Sequence, residues 1–143
     1  MRKIKFRGKS IDGGEAGYGK WVYGYLYIKK EECCYIFNDL RLSYGDDYEG
    51  DETEIEGLIK VDCKTVGQYT GLKDKNGKEI YEGDIVRFYS YHGWNIREVT
   101  YDEEHACFKI GNKQVASMDE AGPPRLLNKR YEIVGNIFDN PEL

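Results

Sequence analysis

The sequence predicts an α+β fold that is predominantly antiparallel β, with a bent or barrel-like sheet, an SH3-like C-terminal portion and short helical segments. Three observations lead there. Aromatic residues make up 14% of the 143 and thirteen of them are tyrosines, a residue that favours pleated, half-buried surfaces. The stretch "WVYGYLYI" alternates with period two. Turn signals recur at short intervals between short apolar runs, the pattern of a small β-rich domain. Length fits a single domain over 1–143, with a basic, aromatic and then acidic portion (1–62) and a hairpin and SH3-like β portion (63–143).

The elements follow in order. "KIKFRGK" alternates, placing Ile4 and Phe6 on one face and Lys3, Lys5 and Arg7 on an outer polar face. "IDGGEAGYGK" reads as a glycine-rich turn, and its glycines miss the GxGxxG spacing of a dinucleotide loop. In "WVYGYLYI", Trp21, Tyr23, Tyr25 and Tyr27 share one face and Val22, Gly24, Leu26 and Ile28 the other. That predicts an inner strand covered on both sides. "CCYIF" pairs with it across the Lys29–Glu32 turn. Residues 38–48 carry a weak signal, consistent with a short helical or irregular piece, and "EIEGLIKVD" is one more strand. Asn76–Gly77 predicts a type I′ hairpin, because that turn needs positive φ at both central positions. Glu82–Gly83–Asp84 makes a second turn, from which "IVRFYSY" leaves as a strand. "IREVTYD" and "HACFKIG" flank a turn at 102–104, "NKQVASMDEAG" suggests a short helix, and "YEIVGNIFD" is the last strand.

Net charge is −5 but unevenly spread. Residues 1–30 hold eight Lys/Arg against two acids, and residues 31–62 hold two against eleven. Internal complementation, contact between opposite faces of two subunits, or simple solvated charge is the expected meaning; the acidic stretch 45–57 would repel a phosphate backbone, and the N-terminal "RKIKFRGK" would attract one. The apolar runs are too short for a membrane-spanning helix, and no leader-like segment opens the chain, so the cytoplasm is the expected location and no membrane partner is expected. Cys33, Cys34, Cys63 and Cys107 form no CxxC and read as free thiols; neither His92 nor His105 has zinc-site spacing. Calcium fails as well: with Gly57 at loop position 6, Cys63 falls at position 12, and with Gly77 at position 6, Leu72 falls at position 1. No metal and no cofactor is expected.

For catalysis, Asp84, Glu82, His92 and His105 are available, but no nucleophile, base and orienting group share a recognisable spacing. Gly-Asp ahead of a strand is better explained by turn hydrogen bonding. No catalytic residue is assigned, and Asn76, Gly77, Gly83 and Asp84 are read as structural turn residues. For binding, the candidate contacts are Lys5, Arg7, Lys20, Trp21, Tyr23 and Tyr25. They form either a cross-strand aromatic ladder with no ligand or a platform for stacking bases, with lysines for phosphates.

The segments "IKFRGKS", "WVYGYLY", "TVGQYTGLKDKNGKEIYEGDIVRF" and "VGNIFDNPEL" together resemble the YopX family of phage and prophage proteins. The resemblance implies a β-rich α+β fold, a dimer, and carriage on mobile genetic elements; it supplies no catalytic residues. The function expected from both lines is a non-enzymatic accessory protein of phage origin, binding a host protein or assembling with itself. Single-stranded nucleic-acid binding is the alternative, and a small hydrolase the least favoured.

Overall fold

A computed structural model describes residues 3–14, 16–30, 33–39, 41–44, 53–90, 92–111, 113–114 and 130–143. The chain forms two compact units, Ile4–Val66 and Gly67–Leu143.

The first unit holds β1 (Phe6–Lys9), β2 (Trp21–Lys30), β3 (Cys33–Phe37), β4 (Arg41–Tyr44), β5 (Thr53–Glu56) and β6 (Ile59–Val61). Four of these lie side by side in the order β6-β3-β2-β1, every pair antiparallel. One face buries Val22, Cys34, Ile36 and Val61, with Phe6, Leu26 and Ile59 packed against them. Gly8 is required by that packing, since a Cβ there would lie 3.0 Å from Val61 Cβ. The expectation for β2 needs correcting on one point. It is an inner strand between β1 and β3, but only its Val22–Leu26 side is covered. Tyr23, Tyr25 and Tyr27 on the other side are 43%, 55% and 44% exposed. Arg7, expected on a polar outer face, is buried.

Two further expectations change here. Within the weak segment 38–48, Arg41–Tyr44 are not helical but form β4, which pairs antiparallel with β5; residues 40 and 45–48 lie outside the described residues. "EIEGLIKVD" is two strands, because Gly57 at φ 91° breaks it between β5 and β6. The cysteines also depart from the free-thiol reading. Cys34 on β3 and Cys63, in the short 3-10 turn Cys63–Thr65 after β6, form a disulfide with Cα atoms 5.3 Å apart. That separation lies within the ordinary disulfide range. Cys33 and Cys107 are free.

The second unit holds β7 (Gly67–Lys73), β8 (Glu79–Tyr81), β9 (Asp84–Ser90), β10 (Gly93–Asp102), β11 (Cys107–Ile110), β12 (Lys113–Gln114) and β13 (Glu132–Asn136). Strands β7 and β8 pair antiparallel, and the other five form an antiparallel sheet in the order β12-β11-β10-β9-β13. The core joins Ile80 of β8 to Val86, Val99, Phe108, Ile110 and Tyr131, with Leu72, Phe88 and Ile133 beside them. Val99 and Tyr101 stand opposite Ile110 and Phe108 in register, whereas Ala106, read from the sequence as a further partner, lies in the turn at φ 50°. Among the described residues the sheets stay open rather than closing into a barrel, and helix is confined to the 3-10 turn. The helix expected over 112–122 lies outside the described residues except at Lys113 and Gln114, which are strand.

The central hairpin is present but its turn is of another kind. Gly77 has φ 80° whereas Asn76 does not have positive φ, so type I′ is ruled out. The Gly77 N–H donates to Asp74 O at 3.0 Å, giving a type I turn followed by a left-handed glycine. Asp74, which the sequence reading passed over, organises this turn. Its buried carboxylate accepts the N–H of Asn76 (2.8 Å) and of Lys78 (2.9 Å) on Oδ1, and that of Ile133 on β13 (3.2 Å) on Oδ2. The Lys75 N–H reaches Tyr131 O at 2.8 Å, a second tie between hairpin and last strand. The next turn is as expected. Gly83 has φ 79°, and the buried Asp84 carboxylate accepts the Tyr81 N–H at 2.8 Å.

Candidate functional site

The register of the first unit assembles a surface from residues far apart in sequence. Lys9 stands opposite Trp21 and Arg7 opposite Tyr23, while Tyr25 pairs with Phe37 and Tyr27 with Tyr35; Tyr35 in turn lies opposite Lys60 of β6. Successive side chains alternate across a strand, so all of these share the face turned away from the core. Ring centroids lie 5.7 Å apart in Tyr25–Phe37 and 6.1 Å apart in Tyr27–Tyr35, ordinary cross-strand aromatic contacts. The Arg7 guanidinium lies 4.6 Å and the Lys9 ammonium 5.5 Å from the Trp21 ring centroid. Those cation–π contacts occupy the half-buried indole and hold positive charge at one side of the tyrosine stripe.

The six sequence candidates therefore separate. Tyr23 and Tyr25 stand in the open stripe, Lys20 is exposed just ahead of β2, and Lys5 is half-buried just ahead of β1. Trp21 and the buried Arg7 are engaged with each other. The sequence reading missed Tyr35, Phe37 and Lys60 as members of this face. They join it only through strand pairing, which no local pattern reports.

A second surface lies on the side of the five-stranded sheet opposite its core. Register sets Trp94 against Tyr89, Ile96 against Arg87 and Glu98 against Ile85. Trp94 is 67% and Tyr89 64% exposed; their rings meet edge-on at 5.4 Å, and the Arg87 guanidinium lies 5.2 Å from the Trp94 ring. Arg87 is anchored from the other side by Glu132 at 2.6 Å, which also takes Lys75 at 2.9 Å. Those two cations hold the Glu132 carboxyl below its usual pKa. Next to this ridge is a cavity of about 250 Å³ lined by Ile85, Ile96, Ile137, Pro141 and Leu143, with Arg97 and Glu98 among its walls.

The residues considered for chemistry have local structural roles. Asp84 braces its own turn, and burial raises the Glu82 pKa next to it. His92 follows the far end of β9, where its N–H donates to Ser90 Oγ at 3.3 Å. His105 Nδ1 lies 2.8 Å from Asp102 Oδ2 in the β10–β11 turn. Asp102, Glu104 and His105 bring ligand atoms within 4.8 Å of one another, but the Lys109 ammonium is already paired with Asp102. Hydrogen bonding from Lys109 is the main reason the Asp102 carboxyl is pulled down to about 2. This exposed cluster is a charge-paired turn. Among the described residues, no helix is long and apolar enough to cross a membrane.

Comparison with curated proteins finds no match. Among solved structures, the crystal structure of protein EF1440 from Enterococcus faecalis is similar at a TM-score of 0.58, with 22% sequence identity. The match covers 99% of this chain and 98% of that one. At that identity the likeness shows the fold alone. The model of the YopX protein family matches residues 5–143, which include every strand described above. The chain belongs to the YopX family.

Proposed function

We propose that this protein is a non-enzymatic accessory protein of phage or prophage origin that works as a self-assembling, protein-binding module in the host cytoplasm. The observation that carries the reading is the outer face of the second unit. There Trp94, Tyr89 and Ile96 stand exposed beside the cavity walled by Ile137, Pro141 and Leu143 together with the polar Arg97, Glu98 and Asn140. Tryptophan, tyrosine and arginine in such a setting are the residue types that anchor protein interfaces. The occupant we favour is a second copy. Arg97 and Glu98 both line the cavity, and a twofold axis at its rim would bring Arg97 of one copy toward Glu98 of the other.

The charge arrangement supplies the test. In a self-complementary interface, Arg97→Glu and Glu98→Arg each weaken association alone, and the double variant regains it. Sedimentation velocity over a concentration series reads this out. Association that is indifferent to both single changes and to Trp94→Ala sinks the proposal. A wild-type chain that stays monomeric yet captures a host protein through Trp94 shifts the reading to a host partner.

A further inference from the structure

We infer that the aromatic face of the first unit is a binding site for single-stranded nucleic acid, separate from the assembly surface of the second unit. A stripe of exposed tyrosines alone would not identify an occupant, but the charges around it do. At the register positions of this face, β1 contributes Arg7 and Lys9 and β6 contributes Lys60. Among the described residues no Asp or Glu falls at a paired position of β1, β2, β3 or β6, and the exposed Asp39 lies two residues beyond Phe37. Lys20 and Lys29 are exposed at the two ends of β2. The protein as a whole carries −5, yet this face carries a local excess of cations around flat rings.

A ligand complementary to that face is anionic along its length and presents planar apolar groups at a regular repeat. Single-stranded DNA or RNA has both properties, whereas a duplex keeps its base planes stacked inside. Side chains two apart on β2 are separated by about 6.6 Å, a repeat that an extended nucleotide chain covers one residue at a time. Tyr23, Tyr25 and Tyr27 thus form a row of ring surfaces for successive bases. The half-buried Lys9 ammonium beside Trp21 sets a cation at the row's flank, while the buried Arg7 guanidinium holds the indole in place. Lys60 supplies the other flank, beyond Tyr35.

The test is fluorescence anisotropy of a labelled oligodeoxythymidylate of about 12 nucleotides with the full chain, repeated across a salt series. The expected result is saturable binding that weakens with salt and exceeds binding to a duplex of equal length. Tyr25→Ala and Tyr27→Ala should each cost about tenfold in affinity, within the usual range for losing one stacked base. Tyr25→Phe should stay within about twofold, because stacking uses the ring and not the hydroxyl. Lys60→Gln should lower the salt slope by about 0.7, one phosphate contact on a single strand. Tyr101→Ala, at an exposed tyrosine on the other unit, should leave binding unchanged. Far-ultraviolet circular dichroism confirms that each variant is folded. Absent binding at low salt, equal affinity for the duplex, or folded tyrosine variants that bind like wild type would each overturn the inference.

Discussion

Replacing Asp74 tests the hairpin most sharply, because one carboxylate serves three backbone donors in two segments 59 residues apart. Asp74→Ala leaves the N–H groups of Asn76, Lys78 and Ile133 without that acceptor. Asn76 and Lys78 lie in an exposed turn where water can replace the carboxylate, so about 1 kcal/mol each is reasonable; the part-buried Ile133 donor adds about 1–2 kcal/mol. The expected loss is therefore about 3–4 kcal/mol, or roughly 10 °C in the melting temperature of a chain this size. Asp74→Asn discriminates the mechanism. It keeps one oxygen for the two turn donors but turns an NH₂ group toward Ile133, so the loss should be about 1–2 kcal/mol. Urea unfolding of the three proteins, followed by circular dichroism, measures both numbers. A loss below about 1 kcal/mol for the alanine variant, or equal losses for both variants, would refute this account of the turn.

Other consequences are checked as directly. Thiol titration of the unfolded, unreduced protein should find two reactive cysteines, Cys33 and Cys107. Reducing Cys34–Cys63 should lower stability by about 3–4 kcal/mol, since the bond closes a loop of sequence separation 29. Finding four thiols in the oxidised preparation would contradict the pairing. Burial pushes the Tyr131 phenol up to about 12. Because the folded value is the higher one, its contribution to stability is complete below the ordinary value of 10.0 and is lost as pH rises from there toward about 12. Tyrosinate absorbance should show a late-titrating group that Tyr131→Phe removes, and an unchanged titration in that variant would disprove the assignment.

Much of the strand order was legible because alternation and turn residues are local signals. "CCYIF" pairs with the aromatic strand as read, and Gly83–Asp84 turns the chain into β9 as read. Where the reading failed, a distant partner decided the outcome. Asn76–Gly77 is the strongest local signal for a type I′ turn, but Asp74 and its bond to Ile133 select a type I turn with a left-handed Gly77 instead. Cys34 and Cys63 carry no spacing signature, since their proximity arises from the pairing of β3 with β6. Arg7 looked like a solvent-facing cation by parity, yet Trp21 across the β1–β2 pair draws its guanidinium onto the indole. The same logic limited both candidate surfaces. Their tyrosines were visible in the sequence, but Lys60 and the C-terminal wall of the cavity join them only in three dimensions.

The proposed function rests on assembly through the outer face of the second unit. Sedimentation equilibrium of the wild-type chain beside a Trp94→Ala, Ile96→Asp double variant tests it most directly. A concentration-dependent dimer is expected for the wild type and a folded monomer for the variant. A wild-type protein that remains monomeric throughout, or a variant that dimerises equally well, would contradict it.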